Sequence, residues 1–172
     1  RNRKVKTVRL ITNTGDGSGT VIGGITNLQS WDDSSRLITR TDGNGNTTQY
    51  VYDSLDRLTA TLYADGTTNS SEYDIFDNRI ITTDANGTQV SSSFDLLNRA
   101  TGNAVFPAPD VLGSTNETYT YDGLSRVVEA INGDYYISNR FDSLSYPLSE
   151  VQAGNVGGFG ALLTIFTKHD SL

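Results

Sequence analysis

The chain has 172 residues, a formal net charge of −7 and 35% hydrophobic residues. The acidic balance argues against nucleic acid as a partner, because such a surface needs clustered Lys and Arg. The sequence contains no Cys, which excludes a disulfide framework and Cys-ligated metals. It also contains no run of about 18 apolar residues that would cross a membrane as a helix.

An aromatic residue followed by Asp recurs along the chain, and we call this pair the tag. Successive tags begin at residues 31, 52, 73 and 94, each 21 residues apart, and further tags begin at 121, 141 and 169. A fixed period of this size is typical of stacked repeat architectures. The six tags before the last are Trp31-Asp32, Tyr52-Asp53, Tyr73-Asp74, Phe94-Asp95, Tyr121-Asp122 and Phe141-Asp142.

An Arg follows each of the first five tags at a nearly fixed distance, at Arg36, Arg57, Arg79, Arg99 and Arg126. We interpret the late third Arg as the result of an extra residue at Asp77-Asn78. Asn-Gly and Asp-Gly pairs precede most tags, and they are strong hairpin signals because both residues tolerate positive φ. The expected turn glycines are Gly45, Gly66 and Gly87, with Gly24 in the equivalent place near the start.

Residues rich in Thr, Val, Ile and Tyr lie between these landmarks, and such residues favour strands. Each unit is therefore predicted to be one β-hairpin, whose second strand ends on the tag aromatic. The tag Asp is expected to supply a side-chain acceptor for the following turn. The fold class is all-β, with tandem hairpins of about 21 residues forming a continuous antiparallel, spiralling sheet.

The chain is expected to divide into three parts. Residues 1–30 form a degenerate repeat in which Arg9 matches Arg36, and residues 31–151 hold units that start at 31, 52, 73, 94, 121 and 141. Residues 105–109 interrupt this region and indicate a loop insertion. Residues 152–172 are an irregular Gly-rich strand segment running into a truncated repeat at His169-Asp170, so we expect a piece of a longer protein.

Residues 36–53 together resemble the YD repeat of the Rhs family, and residues 73–79 resemble its variant with Asn before the Arg. The resemblance covers roughly residues 4–151. Members of this family include bacterial Rhs toxins, the cocoon subunits of insecticidal toxin complexes and the teneurins. The resemblance implies a long antiparallel sheet that spirals into a hollow shell, which in the bacterial members encloses a toxic domain.

The chain departs from the family pattern between tag and Arg, where the family usually places Gly. Here the position holds Ser35, Asp56, Asp77, Asn98 and Ser125. These residues can occupy a turn, although Gly is less strained if φ is positive there. The self-cleavage block that ends bacterial Rhs shells has no counterpart in the sequence, so no catalytic residue is carried over.

The candidate sites are interpreted mainly as structural. Tag aromatics in successive hairpins are expected to pack across strands, and each tag Asp is expected to pair with the Arg that follows it. Tyr50, Tyr63, Tyr119, Tyr135 and Tyr136 lie outside the tag positions, and Tyr135 and Tyr136 are the speculative ligand-facing aromatics. The Asp-rich turns at 16–19, 42–45 and 84–87 echo calcium loops but lack a closing Glu, so neither a metal nor a cofactor is predicted.

The predicted function is a non-catalytic structural segment of a large secreted or surface Rhs/YD-repeat protein. Its shell would enclose or display a toxin or effector domain, and its first partners would be neighbouring repeats of the same chain. One alternative is an extracellular adhesion or carbohydrate-binding segment whose partner is a surface glycan. A second alternative is a fibrous array that self-associates.

Overall fold

A computed structural model describes residues 3–113, 116–133, 135–156 and 159–166, with backbone only from residue 155 onward. Every regular element in the described part of the chain is a β-strand. The chain divides into two compact units, which comprise Arg1–Ser71 with Thr83–Asn86 and Glu72–Thr82 with Gly87–Leu172. The prediction of an all-β, antiparallel array of hairpins is confirmed.

The first unit contains six strands that pair antiparallel in chain order, and the last of them ends just beyond it. Every even-numbered strand ends on a tag aromatic. The strands are β1 Lys6–Thr12, β2 Val21–Trp31, β3 Leu37–Thr41, β4 Thr47–Tyr52, β5 Leu58–Leu62 and β6 Thr68–Tyr73.

The second unit contains the remaining strands, of which β8 to β14 again pair antiparallel in chain order. Phe94, Tyr121 and Phe141 end β8, β10 and β12, as the hairpin prediction requires. The strands are β7 Arg79–Thr83, β8 Gln89–Phe94, β9 Ala100–Phe106, β10 Asn116–Tyr121, β11 Val127–Asn132, β12 Tyr135–Phe141, β13 Pro147–Val156 and β14 Phe159–Phe166.

The turns at Gly45 and Gly66 close with one backbone geometry. The N–H of Gly45 donates to the carbonyl of Asp42 (3.1 Å), and the N–H of Asp42 donates to the carbonyl of Asn46 (2.9 Å). Gly45, Gly66 and Gly87 have φ of 88°, 87° and 92°, which is the left-handed region that Gly enters without strain. Asn44 is not among the positive-φ residues, so only the Gly of the Asn-Gly pair adopts the left-handed conformation.

This geometry predicts that Gly66→Ala lowers the free energy of unfolding by about 1–2 kcal/mol, the cost of placing a Cβ in the left-handed region. No atom lies within 4 Å of a Cβ built at Gly66, so the effect is backbone strain alone. Gly123→Ala is the matched control, because Gly123 also has open space but no left-handed φ. Urea denaturation measures both variants, and equal midpoints would contradict the assignment.

The first hairpin differs from the prediction. Its connection spans residues 13–20, where the N–H of Asn13 donates to the carbonyl of Thr20 (3.1 Å). Gly24 lies inside β2 opposite Leu10, so the expectation that it forms the turn is wrong. The error arose because the longer strands of this hairpin move its turn away from the 21-residue register.

Neither unit has a conventional core. Ala108 is the only buried hydrophobic residue among those whose side chains are described, and most strand residues are half-buried. Ala108 lies in the loop after β9, which begins at Pro107 and is held by the N–H of Ala108 donating to Oγ1 of Thr88 (3.1 Å). Stability must therefore come mainly from backbone ladders and cross-strand pairs.

The C-terminal boundary expected at residue 152 falls inside a strand. β13 runs from Pro147 to Val156 and pairs with β14 through residues 149–156 and 159–166. The truncated tag at His169-Asp170 lies outside the described residues.

Candidate functional site

The tag turns form the repeated site of this chain. Each tag aromatic is the last residue of a strand, and the Asp that follows begins a five-residue turn into the next strand. In the second of these turns the N–H of Asp56 donates to the carbonyl of Asp53 (3.2 Å), and the N–H of Asp53 donates to the carbonyl of Arg57 (3.0 Å). The tag turns thus repeat the geometry of the glycine turns at the opposite ends of the strands.

The tag Asp closes its own turn with both carboxylate oxygens. Oδ1 of Asp53 accepts hydrogen bonds from the N–H groups of Leu55 (2.9 Å) and Arg57 (3.0 Å). Oδ2 of Asp53 accepts from Nε of Arg57 at 2.7 Å. The same three bonds form around Asp95 with Leu97 and Arg99, and around Asp122 with Leu124 and Arg126.

The Arg that follows a tag also reaches forward to the next tag turn. Nη1 of Arg36 donates to the carbonyl of Asp53 (3.2 Å) and to Oδ1 of Asp56 (2.7 Å). Arg99 makes the equivalent pair of bonds to Asp122 and Ser125, and Arg126 makes it to Asp142 and Ser145. One guanidinium therefore joins two successive turns, a use of its fixed fork of donors that Lys cannot copy.

The tag aromatics pack under these bridges. The guanidinium carbon of Arg36 lies 5.2 Å from the ring centroid of Tyr52. Arg99 lies 4.6 Å from the ring of Tyr121, within the range of a cation–π contact. The hydroxyl of Tyr52 donates to the carbonyl of Leu37 (3.1 Å), so the ring is also tied to the first strand of its own hairpin.

The polar residues that replace the family's Gly have left-handed backbones, with φ of 71° at Ser35, 66° at Asp56, 67° at Asp77, 59° at Asn98 and 62° at Ser125. The side chains of Asp56 and Ser125 accept hydrogen bonds from the preceding Arg. The sequence interpretation treated these residues as strained departures and missed this role. The signal was available, since every one of the five carries a side-chain oxygen.

The third tag is built differently from its predicted form. Asn78 occupies the place of the Arg, because its N–H donates to Oδ1 of Asp74 (2.9 Å) and its Nδ2 to Oδ2 of Asp74 (2.9 Å). Nδ2 of Asn78 also donates to Oδ1 of Asn98, which continues the forward bridge (3.0 Å). Arg79 is instead the first residue of β7. The turn has no extra residue, so the predicted equivalence of Arg79 with Arg57 is wrong.

The same bridge identifies the residue of the first hairpin that is equivalent to Arg36. Arg3 donates from Nη1 to the carbonyl of Asp32, as Arg36 does to the carbonyl of Asp53. Nε1 of Trp31 donates to the carbonyl of Lys4 (3.0 Å), as the hydroxyl of Tyr52 does to that of Leu37. Arg3 is therefore the equivalent of Arg36, and the predicted match with Arg9 is wrong because the first hairpin is longer than the rest.

The non-tag tyrosines do not share one face. Alternate residues of a strand face the same side, so Tyr119 in β10 lies on the same face as the tag residue Tyr121. In β12, Tyr135 faces the same side as Phe141, whereas Tyr136 faces the opposite side. The two residues predicted to face a ligand, Tyr135 and Tyr136, therefore lie on opposite faces of the sheet.

A polar cluster accompanies Tyr119 on the tag face of the second unit. Oε2 of Glu117 accepts hydrogen bonds from Nδ2 of Asn103 (3.0 Å) and from the hydroxyl of Tyr119 (2.8 Å). Both bonds hold the pKa of Glu117 below its usual range, and the bond from Asn103 has the larger effect. The hydrogen bond to Glu117 in turn raises the pKa of Tyr119. The sequence interpretation missed this cluster, whose members come from two separate strands.

A depression of about 80 Å³ lies beside Glu117 and Tyr119, and it is also lined by Ala130, Ile131, Asn132, Tyr135 and Ile137. Cross-strand pairing explains this meeting, because Glu117 is opposite Asn132 and Asn132 is opposite Tyr135. About half of the Tyr135 residue is exposed (53%). The cluster thus offers one aromatic ring and one carboxylate to a ligand on the tag face.

The tag carboxylates make stability depend on pH. The backbone N–H of Arg99 and its guanidinium hold the pKa of Asp95 below its usual range, and the equivalent groups of Arg36 do the same for Asp32. The folded chain therefore binds fewer protons than the unfolded chain, and the stabilisation present above the unfolded value of about 3.9 is lost as pH falls through the folded pKa. The urea concentration at the unfolding midpoint is expected to decrease as the pH is lowered from about 5. A midpoint that stays constant from pH 6 to 3 would contradict this.

The Asp-rich turns that echo calcium loops use their carboxylates locally. Oδ1 of Asp42 accepts from the N–H groups of Asn44 and Asn46, each at 2.9 Å. Hydrogen bonds from Thr14 and then Ser18 lower the pKa of Asp16 to about 2. Within the described ranges, no group of three or more His, Cys, Asp or Glu side chains is placed to hold a metal ion. The described residues also include no helix that is long and apolar enough to cross a membrane.

Part of the sequence that forms these turns matches a known family of repeats. Residues 31–68, which contain the first two tags, match the family model described as RHS Repeat. The recognition of Rhs-type repeats is confirmed by this match. No curated protein matches the sequence significantly.

Solved structures share the fold over most of the chain. The structure of TcdB2-TccC3 without its hypervariable C-terminal region superposes with a TM-score of 0.64 at 18% identity. That of TcdB2-TccC3-Cdc42 gives 0.63 at 18%, and the Photorhabdus luminescens Tc holotoxin pore gives 0.62 at 17%. Each match covers 86% of this chain but 8% of the other chain. The chain is a structural repeat segment with the fold of that small part of the toxin complex.

Proposed function

We propose that this chain is a length of wall in a large secreted or surface Rhs/YD-repeat protein, whose sheet encloses or displays a toxin or effector domain. The observation that carries the proposal is the forward bridge to the next tag turn, which Arg36, Arg99 and Arg126 all make. A catalytic group would not need to be repeated in successive hairpins. A bridge that fixes the spacing between neighbouring hairpins does need to be repeated. We also propose that the segment itself is not catalytic.

The likeness to the TcdB2-TccC3 chains supports the proposal, because the matched region is a small part of very long chains. A wall must hold its geometry without a buried interior of its own. The tag turns supply this by joining hairpins through charge-assisted hydrogen bonds, which are stronger than neutral ones. The half-buried strands, and the single buried hydrophobic residue (Ala108) among the described side chains, agree with a wall rather than a globule.

Protease protection of the natural polypeptide tests enclosure. The polypeptide that carries this sequence would be isolated whole and digested before and after the repeats are denatured. A domain outside the repeats that becomes digestible only after denaturation supports the proposal. If every region outside the repeats is cut at once in the native polypeptide, the enclosing role is removed.

A second candidate function, binding of a surface glycan, is favoured by the depression at Glu117, Tyr119 and Tyr135. An exposed ring beside a fixed carboxylate suits a sugar, which stacks its ring and donates its hydroxyls. Tyr135→Ala is expected to remove glycan-array signal, while Tyr136→Ala should retain it because that residue faces the other side of the sheet. Equal glycan-array signals from the two variants, or no signal from the unaltered chain, would contradict this function.

A further inference from the structure

The tag turns of the second unit form an edge with exposed apolar side chains. The tag turns carry apolar side chains at the second residue after the tag Asp, whereas the Gly turns carry polar or small residues there. The exposed fractions are 62% at Phe76, 69% at Leu97, 64% at Leu124 and 75% at Leu144. Ile75 and Leu96 precede two of them and are 88% and 101% exposed. We call these six residues the apolar ridge.

The ridge is regular because the tag turns of the second unit lie on one edge of its strands, two strands apart. Neighbouring strands are about 4.8 Å apart, so successive ridge positions are roughly 10 Å apart. Single exposed apolar residues are ordinary on a protein surface. A row that repeats at every tag turn of the second unit indicates a contact surface.

The ridge residues are also held in place before any contact forms. The N–H groups of Leu97, Leu124 and Leu144 donate to Oδ1 of their tag Asp at 2.8, 2.9 and 2.8 Å. Phe76 makes the same bond to Asp74 at 2.8 Å. A row whose backbone is already fixed loses little conformational freedom on binding, which favours association.

We propose that the apolar ridge packs against an identical ridge of a second run of these repeats, which for the isolated chain is a second copy. Two such rows offset by half a repeat would interdigitate, with side chains from alternate copies about 4.8 Å apart. That distance is the ordinary separation of neighbouring side chains on a sheet. Because the two surfaces are the same, the contact closes as a two-fold dimer.

The charges beside the ridge do not prevent this contact. Asp95 is paired with Arg99 and Asp122 with Arg126, each at 2.6 Å. A lipid surface fits less well, since these ion pairs and the acidic chain as a whole would face the headgroups. The remaining like charges repel weakly and are screened by salt.

The area of the ridge indicates a weak contact. Burying one aliphatic or aromatic side chain removes on the order of 60–120 Å² of apolar surface, so six give roughly 400–700 Å² per copy. A standard stable interface buries about 800 Å² per partner. The dimer is therefore concentration-dependent, and a longer row of repeats would hold more firmly.

Sedimentation velocity of the 172-residue chain over about 10–500 μM tests the ridge. The mass is expected to rise from 18.6 kDa towards twice that value, and added salt should promote the rise. The Leu97→Ser and Leu124→Ser double variant keeps the backbone hydrogen bonds and should raise the dimer dissociation constant at least tenfold. Leu112→Ser is the matched control, because Leu112 is 98% exposed in the loop at the opposite edge.

Two results would overturn the ridge contact. One is a monomer at every concentration, and the other is a double variant that associates as the unaltered chain does. The second result would point instead to pairing through the free side of β1. Circular dichroism confirms that each variant keeps its strands. The inference rests on the proposed wall only because it assumes that the run of repeats continues beyond this chain. A monomeric chain would not contradict the proposed wall, since the bridges between hairpins do not involve the ridge.

Discussion

Arg126→Ala is expected to lower the free energy of unfolding by about 1–2 kcal/mol, because one charge-assisted hydrogen-bond network and one ring contact are lost together. The Arg126 guanidinium donates to Oδ2 of Asp122 (2.6 Å), to the carbonyl of Asp142 (3.0 Å) and to Oγ of Ser145 (3.1 Å). It also lies 4.6 Å from the ring centroid of Phe141. Arg126→Lys should recover less than half of the loss, since one ammonium cannot reach both turns.

Arg140→Ala is the matched control for this experiment. Arg140 is an exposed residue of β12 and takes part in no ion pair with another described residue, so the variant makes the same change in net charge without breaking a bridge. Urea denaturation gives the stability of all three variants. Hydrogen exchange at Leu144 and Tyr146 then reports the next turn, whose amides should exchange faster in Arg126→Ala alone. Equal behaviour of the Arg126 and Arg140 variants would show that the bridge does not stabilise the array.

Gly102→Ala is expected to destabilise the second unit by about 1–3 kcal/mol, the usual cost of forcing extra atoms into a packed site. A Cβ at Gly102 would lie 2.6 Å from the carbonyl oxygen of Glu117 and 3.6 Å from the Cα of Thr118. Both neighbours are backbone atoms of β10, so relief requires β9 and β10 to move apart. The movement would also loosen the hydrogen bond from Asn103 to Glu117.

Gly24→Ala is the control for Gly102→Ala, because Gly24 is also inside a strand. A Cβ at Gly24 meets ordinary contacts, at 3.4 Å from Cγ1 of Val8 and 3.6 Å from the carbonyl oxygen of Arg9. Removing a strand Gly without a clash is expected to stabilise the chain by up to about 1 kcal/mol. Denaturant midpoints that shift in the same direction for both variants would refute the close approach of β9 and β10.

The hairpins could be predicted from the sequence because their markers are local. Turn residues such as Gly45 need a particular backbone conformation, and the tag Asp bonds to atoms within four residues of itself. The spacing between markers then fixes where each strand begins and ends. These constraints act within one hairpin, so they are visible in a single stretch of sequence.

The prediction failed where residue type was given more weight than position. Arg79 was taken as the partner of the third tag because it is an Arg, although Asn78 stands at the correct distance. Arg9 was matched to Arg36 by its neighbours, whereas the bridge to Asp32 comes from Arg3. Both errors would have been avoided by asking which residue can reach the next turn.

The remaining sites depended on contacts between hairpins. Glu117 and Tyr135 meet only because β10, β11 and β12 pair in one register, which is set by turns and bulges rather than by either residue. The role of Ser125 is similar, since its partner Arg99 is 26 residues away. Faces could have been assigned from the two-residue period of a strand, which separates Tyr135 from Tyr136 without any coordinates.

The forward bridge has a consequence for how such genes change in length. Each donor needs only the turn that follows it, and every turn offers the same carbonyl. Duplication or loss of a complete hairpin therefore leaves every guanidinium with a new but equivalent acceptor. A deletion that stops inside a hairpin would leave one guanidinium without its acceptor. Natural variants of this array should differ by whole multiples of the repeat, so its length can change during evolution in equal steps.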